Sequence, residues 1–360
     1  MEDNLRLSAG PERDPALDIL KCICCVGVII IHTASLGFST YIVRCFNWMS
    51  SAAWSCMFRF CVPVFLMCTG AVLLDPQKEM SIRRIMTRYF LRMLLILMFW
   101  SLMYDLYFVA AKLVLYREYE AGAFLQAFVN TLTFRHYFHL YYLQMLLIFY
   151  LFLPALRVFT AHADRNVFRY ILIIWFILGI VFPYVWKFEP MASNDGVPAQ
   201  YPLSNTYAAI GYAMLGWYVR SSRPGREQAG RYIGLLILGY ALVFGGTVAV
   251  SLYLDTPYGD LMEGMTPGVA LMALGLFGTV SSLTAGKGPM PRAERFARAS
   301  FCIYLIHHFF VLAFRGLNIN VYLFYCLFSI PVLSAAVLLL SVLGYLVLSR
   351  TPFVKDHLIQ

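Results

Sequence analysis

The sequence predicts an all-α, polytopic integral membrane protein of about ten transmembrane helices, with both termini cytoplasmic. Three observations carry that expectation. Of the 360 residues, 61% are hydrophobic and 13% charged, against about 45–50% and about 25% in soluble domains. Tyr and Gly each occur 24 times, so counting either as apolar leaves the share unchanged. Ten apolar runs approach the roughly 20 residues that a spanning helix needs. Lys and Arg gather on alternate connecting segments. With a mean hydropathy of +0.70, these features exclude a water-soluble globular enzyme, a disordered chain and a disulfide-rich secreted domain.

The runs, bounded by charges and Gly/Pro/Asn clusters, are 17–37, 54–74, 90–112, 138–159, 169–187, 203–221, 232–254, 265–284, 299–317 and 321–349. The last two are close enough to pair as a tight hairpin. A polar tail, 1–16, precedes them, and a second tail, 350–360, follows. The first run is expected to stay as an anchor, because it carries Asp18, Lys21 and His32 and no small-residue cleavage site follows it. With the N-terminus inside, 20 of the 28 Lys and Arg fall on inside segments, six on outside loops and two (Lys21, Arg59) within spans. The net charge of +9 is therefore topology, and no nucleic-acid partner is expected. No repeat and no soluble domain is read, so 17–349 is one membrane domain. The outside loops 113–137 and 188–202 are long enough for a lid or an acceptor groove.

Eight of the nine Cys (Cys22, Cys24, Cys25, Cys56, Cys61, Cys68, Cys302, Cys326) lie in apolar runs and read as small buried hydrophobes. A metal on the CxxC of Cys22–Cys25 would need thiolates on different faces of one helix, so no metal is expected.

A charge at mid-span costs about 3 kcal/mol on insertion scales, so polar groups there are functional candidates. In the first run, LDILKCICCVGVIIIHT, Lys21 and His32 are eleven residues apart. That spacing places them on one helical face, about 16 Å apart along the axis. Asp18 falls on the same side. Lys21 could snorkel beside Asp18 while His32 bonds a neighbouring helix. The functional reading makes His32 a base or nucleophile, since a neutral imidazole takes a proton. The second run, RFCVPVFLMCTGAVLL, holds Arg59, Pro63, Thr69 and Gly70. Pro63 frees a backbone carbonyl, tolerable beside a cavity, and Thr69–Gly70 is either part of a site or a close helix-packing point. In SIRRIMTRYFLR, Arg84 and Arg88 stand four apart, a fork suited to phosphate or to anionic lipid. RHYFHLYYLQ sets His136 and His139 among rings that an aromatic belt would explain equally. In RASFCIYLIHHFF, Ser300 and His307 lie two turns apart near one face, while His308 points elsewhere. A structural bond from either His to a carbonyl is the competing explanation.

These pieces, in this order, resemble the acyltransferase-3 family of integral-membrane acyltransferases, over about residues 13–349. Lys21 and His32 are similar to its basic-residue–ten–His motif, and Thr69–Gly70 to its second-span Ser-Gly. Arg84 and Arg88 match its Arg-x-x-x-Arg, HLYYL from His139 the stretch before a hydrophobic helix, and SFCIYLIHHF its late Ser…IYLIH signature. Departures are Thr69 for the usual Ser, Tyr141 where Trp is commoner, and Lys21 where Arg is frequent. The hydrolase-like domain fused to some members is not expected from these residues.

The resemblance implies transfer of an acyl group, usually acetyl, from cytoplasmic acyl-CoA as co-substrate to a hydroxyl of a cell-surface polysaccharide or lipid-linked glycan, in the inner (plasma) membrane. Arg84, Arg88 and Arg59 would then meet coenzyme A, and His32 with Lys21 would carry the chemistry. Asp18, Thr69, His139, Ser300 and His307 would be substrate-binding or structural polar groups. Two routes stay open, His32 as base for direct attack or His32 as carrier of the acyl group, with Lys21 and Arg59 steadying negative charge. The base is preferred. The other function class is a transporter of a small solute such as an amino acid, since broken helices and mid-membrane charges suit it too. The cytoplasmic arginine fork separates the two.

Overall fold

The computed structural model describes residues 13–117, 120–185 and 203–359. Most of the N-terminal tail and the expected lid loop 188–202 lie outside the described residues. Among the described residues every regular element is helical, and nine helices are long and apolar enough to cross a membrane. The sixth expected span, 203–221, is the 17-residue helix Asn205–Ser221, which rises only about 25 Å.

The chain order is α1 (Pro15–Thr40), α2 (Phe46–Met57), α3 (Cys61–Leu73), α4 (Ile82–Val114), α5 (Ala123–Leu132), α6 (Tyr141–His162) and α7 (Arg165–Val185). Then come α8 (Asn205–Ser221), α9 (Ala229–Leu254), α10 (Pro267–Thr284), α11 (Pro291–Gly316), α12 (Cys326–Leu348) and the short α13 (Pro352–Leu358). The central helix is α1, packed by α2, α3, α10, α11 and α12. Its start is fixed locally. Asp14 caps the Ala16 N–H at 3.0 Å, and Pro15 occupies the first turn, where its missing N–H is not needed.

The second expected span is two helices. Phe46–Leu73 makes one crossing, broken at Phe58–Phe60. Pro63 therefore sits in the first turn of α3, where proline costs no helical hydrogen bond. The break is stitched by Arg59, whose Nε donates to Ser55 O at 3.0 Å. Thr69–Gly70 has its packing role: a Cβ on Gly70 would fall 2.0 Å from Ala213 O of α8. Reciprocally, one on Gly216 of α8 would fall 2.1 Å from Met67 O. The two backbones touch, which only glycine permits.

Where α3 ends, its unsatisfied carbonyls are taken by basic side chains. Arg157 Nη1 donates to Leu73 O at 2.5 Å and Asp75 O at 2.9 Å, and Arg220 Nη1 donates to Ala71 O at 2.7 Å. This end of the bundle, which also holds Arg13, Arg88 and Arg298, is the basic end. Along the outer faces of the helices apolar side chains are exposed: Ile237, Leu238 and Leu242 of α9 and Val332, Leu339 and Val347 of α12. Such faces suit hydrocarbon. All nine cysteines are free, so no disulfide braces the bundle.

Candidate active site

At the basic end, α1, α3, α4, α6 and α11 leave a cavity of about 600 Å³. Its lining includes five cations: Arg13, Lys21, Arg88, Arg92 and Arg298. Arg13 is anchored by a two-pronged pair with Asp18, at 2.7 and 2.9 Å, and stands 3.3 Å from Glu294. The bonds to Asp18 hold the Arg13 guanidinium above its usual range. Glu294 also holds Arg298, at 2.5 Å. Asp18 thus serves Arg13 rather than Lys21. The Lys21 ammonium lines the cavity with no hydrogen bond or ion pair to another described residue, and so is available to an anion.

The expected Arg84–Arg88 fork is displaced by one step. Arg84 is exposed and does not line the cavity; Arg88 and Arg92 do. Arg84 lies in the first turn of α4, ahead of the π-helical turn over Ile85–Phe90, and so one turn further along the axis from the residues that line the cavity. Thr69 and Ser300 also line the cavity, and Phe65, Tyr142 and Tyr304 lie deep in it. Tyr142 sits 5.9 Å from Phe65 and 5.6 Å from Tyr304, ring to ring.

Behind Tyr304 lies a cluster of histidines. The His32 ring is 5.3 Å from that of His307, 5.1 Å from His308 and 6.1 Å from His139, with Phe138 at 5.3 Å. His308 was expected to point elsewhere, but the His32 ring is set between helices so that consecutive residues of α11 both reach it. His139 and His308 stack at 5.3 Å. His307 Nδ1 donates to Tyr304 O at 2.7 Å, because a carbonyl can only accept. In the neutral ring its Nε2 is then an acceptor, and that atom is buried without a partner. Both ring nitrogens of His139 and Nδ1 of His308 are likewise without a partner among the described residues. A buried polar group left unpaired costs about 1–3 kcal/mol, a cost that a purely structural cluster would shed.

Neighbours hold the cluster in place. Tyr304 Oη donates to His139 O, Tyr104 Oη donates to Leu305 O at 2.8 Å, and Arg315 Nη2 donates to His32 O at 3.2 Å and Ser35 Oγ at 3.1 Å. His136 is turned to Ser101 Oγ, at 2.9 Å, and stays apart.

Compared with known families, residues 14–350 match the acyltransferase-3 model, described as an acyltransferase domain. The chain belongs to that family. No curated protein and no solved structure matches it. It is accordingly a membrane acyltransferase, requiring an acyl donor and an acceptor.

Within this acyltransferase the structure brings His32, His139 and His307 together at the cluster, and Lys21, Arg88, Thr69 and Ser300 together at the cavity. It brings neither Arg84 nor Arg59 to the cavity. Sequence reading missed Arg13, Arg92, Arg298, Tyr142, Tyr304, His308 and Arg315. Arg92 carried a signal, as the third arginine in a four-residue spacing. The others belong to the site only through contacts between helices. Among the described residues, no group of His, Cys, Asp and Glu is placed to hold a metal ion.

Proposed function

We propose that this acyltransferase moves an acetyl group from acetyl-CoA to a hydroxyl of a cell-surface polysaccharide or lipid-linked glycan, its basic end facing the cytoplasm of a plasma membrane. One observation carries the reading: five cations converge on one cavity whose deep end abuts four clustered histidines. Arg88, Arg92 and Arg298 suit the phosphates of coenzyme A. Phe65, Met93, Ile96 and Leu146 give the pantetheine arm an apolar wall, and the thioester lies towards Tyr142 and Tyr304. A small-solute transporter has no need of such a cavity.

His32 acts as the base. It takes the proton of the acceptor hydroxyl; the oxygen attacks the thioester carbonyl carbon; the new C–O bond forms and the C–S bond breaks. The leaving thiolate collects the proton as coenzyme A. Lys21, unpaired in the cavity, balances donor charge. Tyr142 and Tyr304 stand between cavity and cluster, so the thioester passes them to reach His32.

The test is coenzyme A release by the purified protein in nanodiscs, given acetyl-CoA with and without glycans, for wild type and His32→Ala. Release that His32→Ala abolishes, in a protein that still binds acetyl-CoA, is expected. Well-folded wild type that neither binds acetyl-CoA nor turns it over refutes the reading.

A further inference from the structure

A second cavity, also of about 600 Å³, lies at the basic end, walled by the residues that lead into α1, the end of α8 and the turn from α10 to α11. Its lining includes four cations: Arg13, Arg220, Arg223 and Lys287. Two of these are engaged by the protein itself. Arg13 is held by Asp18 and Glu294. Arg220 Nε donates to Asp14 Oδ2 at 3.0 Å, and its Nη1 donates to Ala71 O at 2.7 Å. The side chains of Arg223 and Lys287 have no hydrogen-bond or ion-pair partner among the described residues. Asp14, the one carboxylate among the described lining residues, is taken by Arg220 and by the first turn of α1. Two cations on this cavity are therefore without a counter-charge from the protein.

The backbone beside them suits an anion as well. Gly286 turns the chain at φ 74, in the left-handed region. A Cβ on Gly286 or on Gly288 would meet nothing within 4 Å, and the N–H groups of both donate to no described residue. Exposed N–H groups in such turns are anion donors. Arg223 is left-handed too, at φ 45 just past the end of α8, where glycine is the usual residue.

Arg13 lines both cavities, so the two lie side by side at its guanidinium. The bonds to Asp18 and Glu294 fix that side chain between them. Coenzyme A carries phosphate in two separate places, a diphosphate next to the pantetheine arm and a monophosphate on the ribose 3′ oxygen. The basic cavity offers Arg88, Arg92 and Arg298 to the first of these. We propose that the second cavity holds the ribose 3′-phosphate of the acyl donor on Arg223 and Lys287, with the donor lying across Arg13. A phosphate monoester carries a charge of about −1.5 to −2 at neutral pH, which two cations balance. The proposal rests on the acyl-CoA reading above and adds to it the residues that tell coenzyme A from a thioester lacking the 3′-phosphate.

The experiment measures equilibrium binding of acetyl-CoA and of acetyl-3′-dephospho-CoA to the full chain in phosphatidylcholine nanodiscs. Wild type is expected to bind acetyl-CoA about tenfold or more tighter than the dephospho form. The double variant Arg223→Gln/Lys287→Gln is expected to bind the two forms alike. Its affinity for the dephospho form should stay within about twofold of wild type, which also reports an intact fold. Should the double variant fail to fold, each single Gln variant is measured in its place and is expected to lose part of the preference. Equal affinity of wild type for the two forms, or a preference that survives both replacements, overturns the proposal while the acyl-CoA reading stands. Folded variants that lose both forms to the same extent also overturn it. An anionic lipid offers the same phosphate chemistry, so native mass spectrometry counts the phosphatidylglycerol retained from mixed nanodiscs. Lipid retention lost in the double variant, with no 3′-phosphate preference in wild type, assigns the cavity to a lipid head group and overturns the proposal. Failure of wild type to bind either form overturns the acyl-CoA reading as well.

Discussion

On the proposed reading the basic cavity receives coenzyme A; the family resemblance implies Arg84 and Arg88 for that contact, the cavity is lined by Arg88 and Arg92, and replacing them one at a time decides the matter. Arg88 and Arg92 line the basic cavity, whereas Arg84, the first member of the sequence motif, is exposed outside it. Hydrogen bonds to charged groups are worth about 1.5–3 kcal/mol, and each 1.4 kcal/mol is tenfold in affinity. Arg88→Ala is therefore expected to weaken acetyl-CoA binding about 10- to 100-fold. Arg88 is the cleaner of the two, having no hydrogen-bond or ion-pair partner among the described residues. Arg92 also donates to Asp356 O at 2.5 Å, so Arg92→Ala loosens α13 as well and its loss is an upper bound. Arg84→Ala should stay within about twofold, the size of a screened surface charge. The assay is equilibrium binding of labelled acetyl-CoA in nanodiscs at fixed ionic strength, since phosphate contacts weaken with salt. If Arg84→Ala costs as much as Arg88→Ala, the donor does not stop at the lining residues Arg88 and Arg92 and the motif stands as read.

Two further outcomes follow from single contacts. Gly70→Ala places a Cβ 2.0 Å from Ala213 O, and overpacking of this kind costs about 1–3 kcal/mol; the variant should melt several degrees lower in detergent, and an unchanged midpoint would mean that α3 and α8 are not in backbone contact. His308→Ala should lower turnover at least tenfold with acetyl-CoA affinity retained, because its ring lies 5.1 Å from His32 and away from the cavity, whereas loss of affinity alone would place His308 with the donor.

What the sequence made legible and what it hid divide along a physical line. Apolar runs are properties of single segments, so the spans could be read with few errors. The exceptions are instructive. Phe46–Leu73 begins eight residues earlier than its expected run, because Ser50 and Ser51 break the hydropathy pattern while packing buried against neighbours. Their hydroxyls can turn back on the helix, as Ser50 does to Phe46 O and Ser51 to Asn47 O, both at 2.8 Å, so the segment reads as more polar than it is. The site divides in the same way. Lys21 and His32 were legible because one helix fixes their spacing. Arg88 against Arg84 was not, because how far along α4 the cavity extends is set by the helices packed around it. Arg315, counted as an outer-loop charge, reaches back to the His32 carbonyl from 283 residues away; no pattern in sequence records such a contact.

The arrangement also bears on why the site has two compartments. A thioester admitted directly to a basic histidine beside water would hydrolyse, and a transferase must hold the two apart until the acceptor arrives. Here the cavity with the cations closes on Phe65, Tyr142 and Tyr304, and the histidines lie beyond. Tyr304 belongs to both sides: its ring lines the cavity, its hydroxyl holds the His139 carbonyl, and its own carbonyl takes the His307 Nδ1 proton. Moving that one side chain would open a path for the acyl group and release the backbone of His139 in the same act. The histidine tautomer would be unaffected, because His307 is held by the main chain of α11 and not by the tyrosine ring. On the proposed reading, a partition built this way lets the donor side open while the His307 tautomer stays fixed.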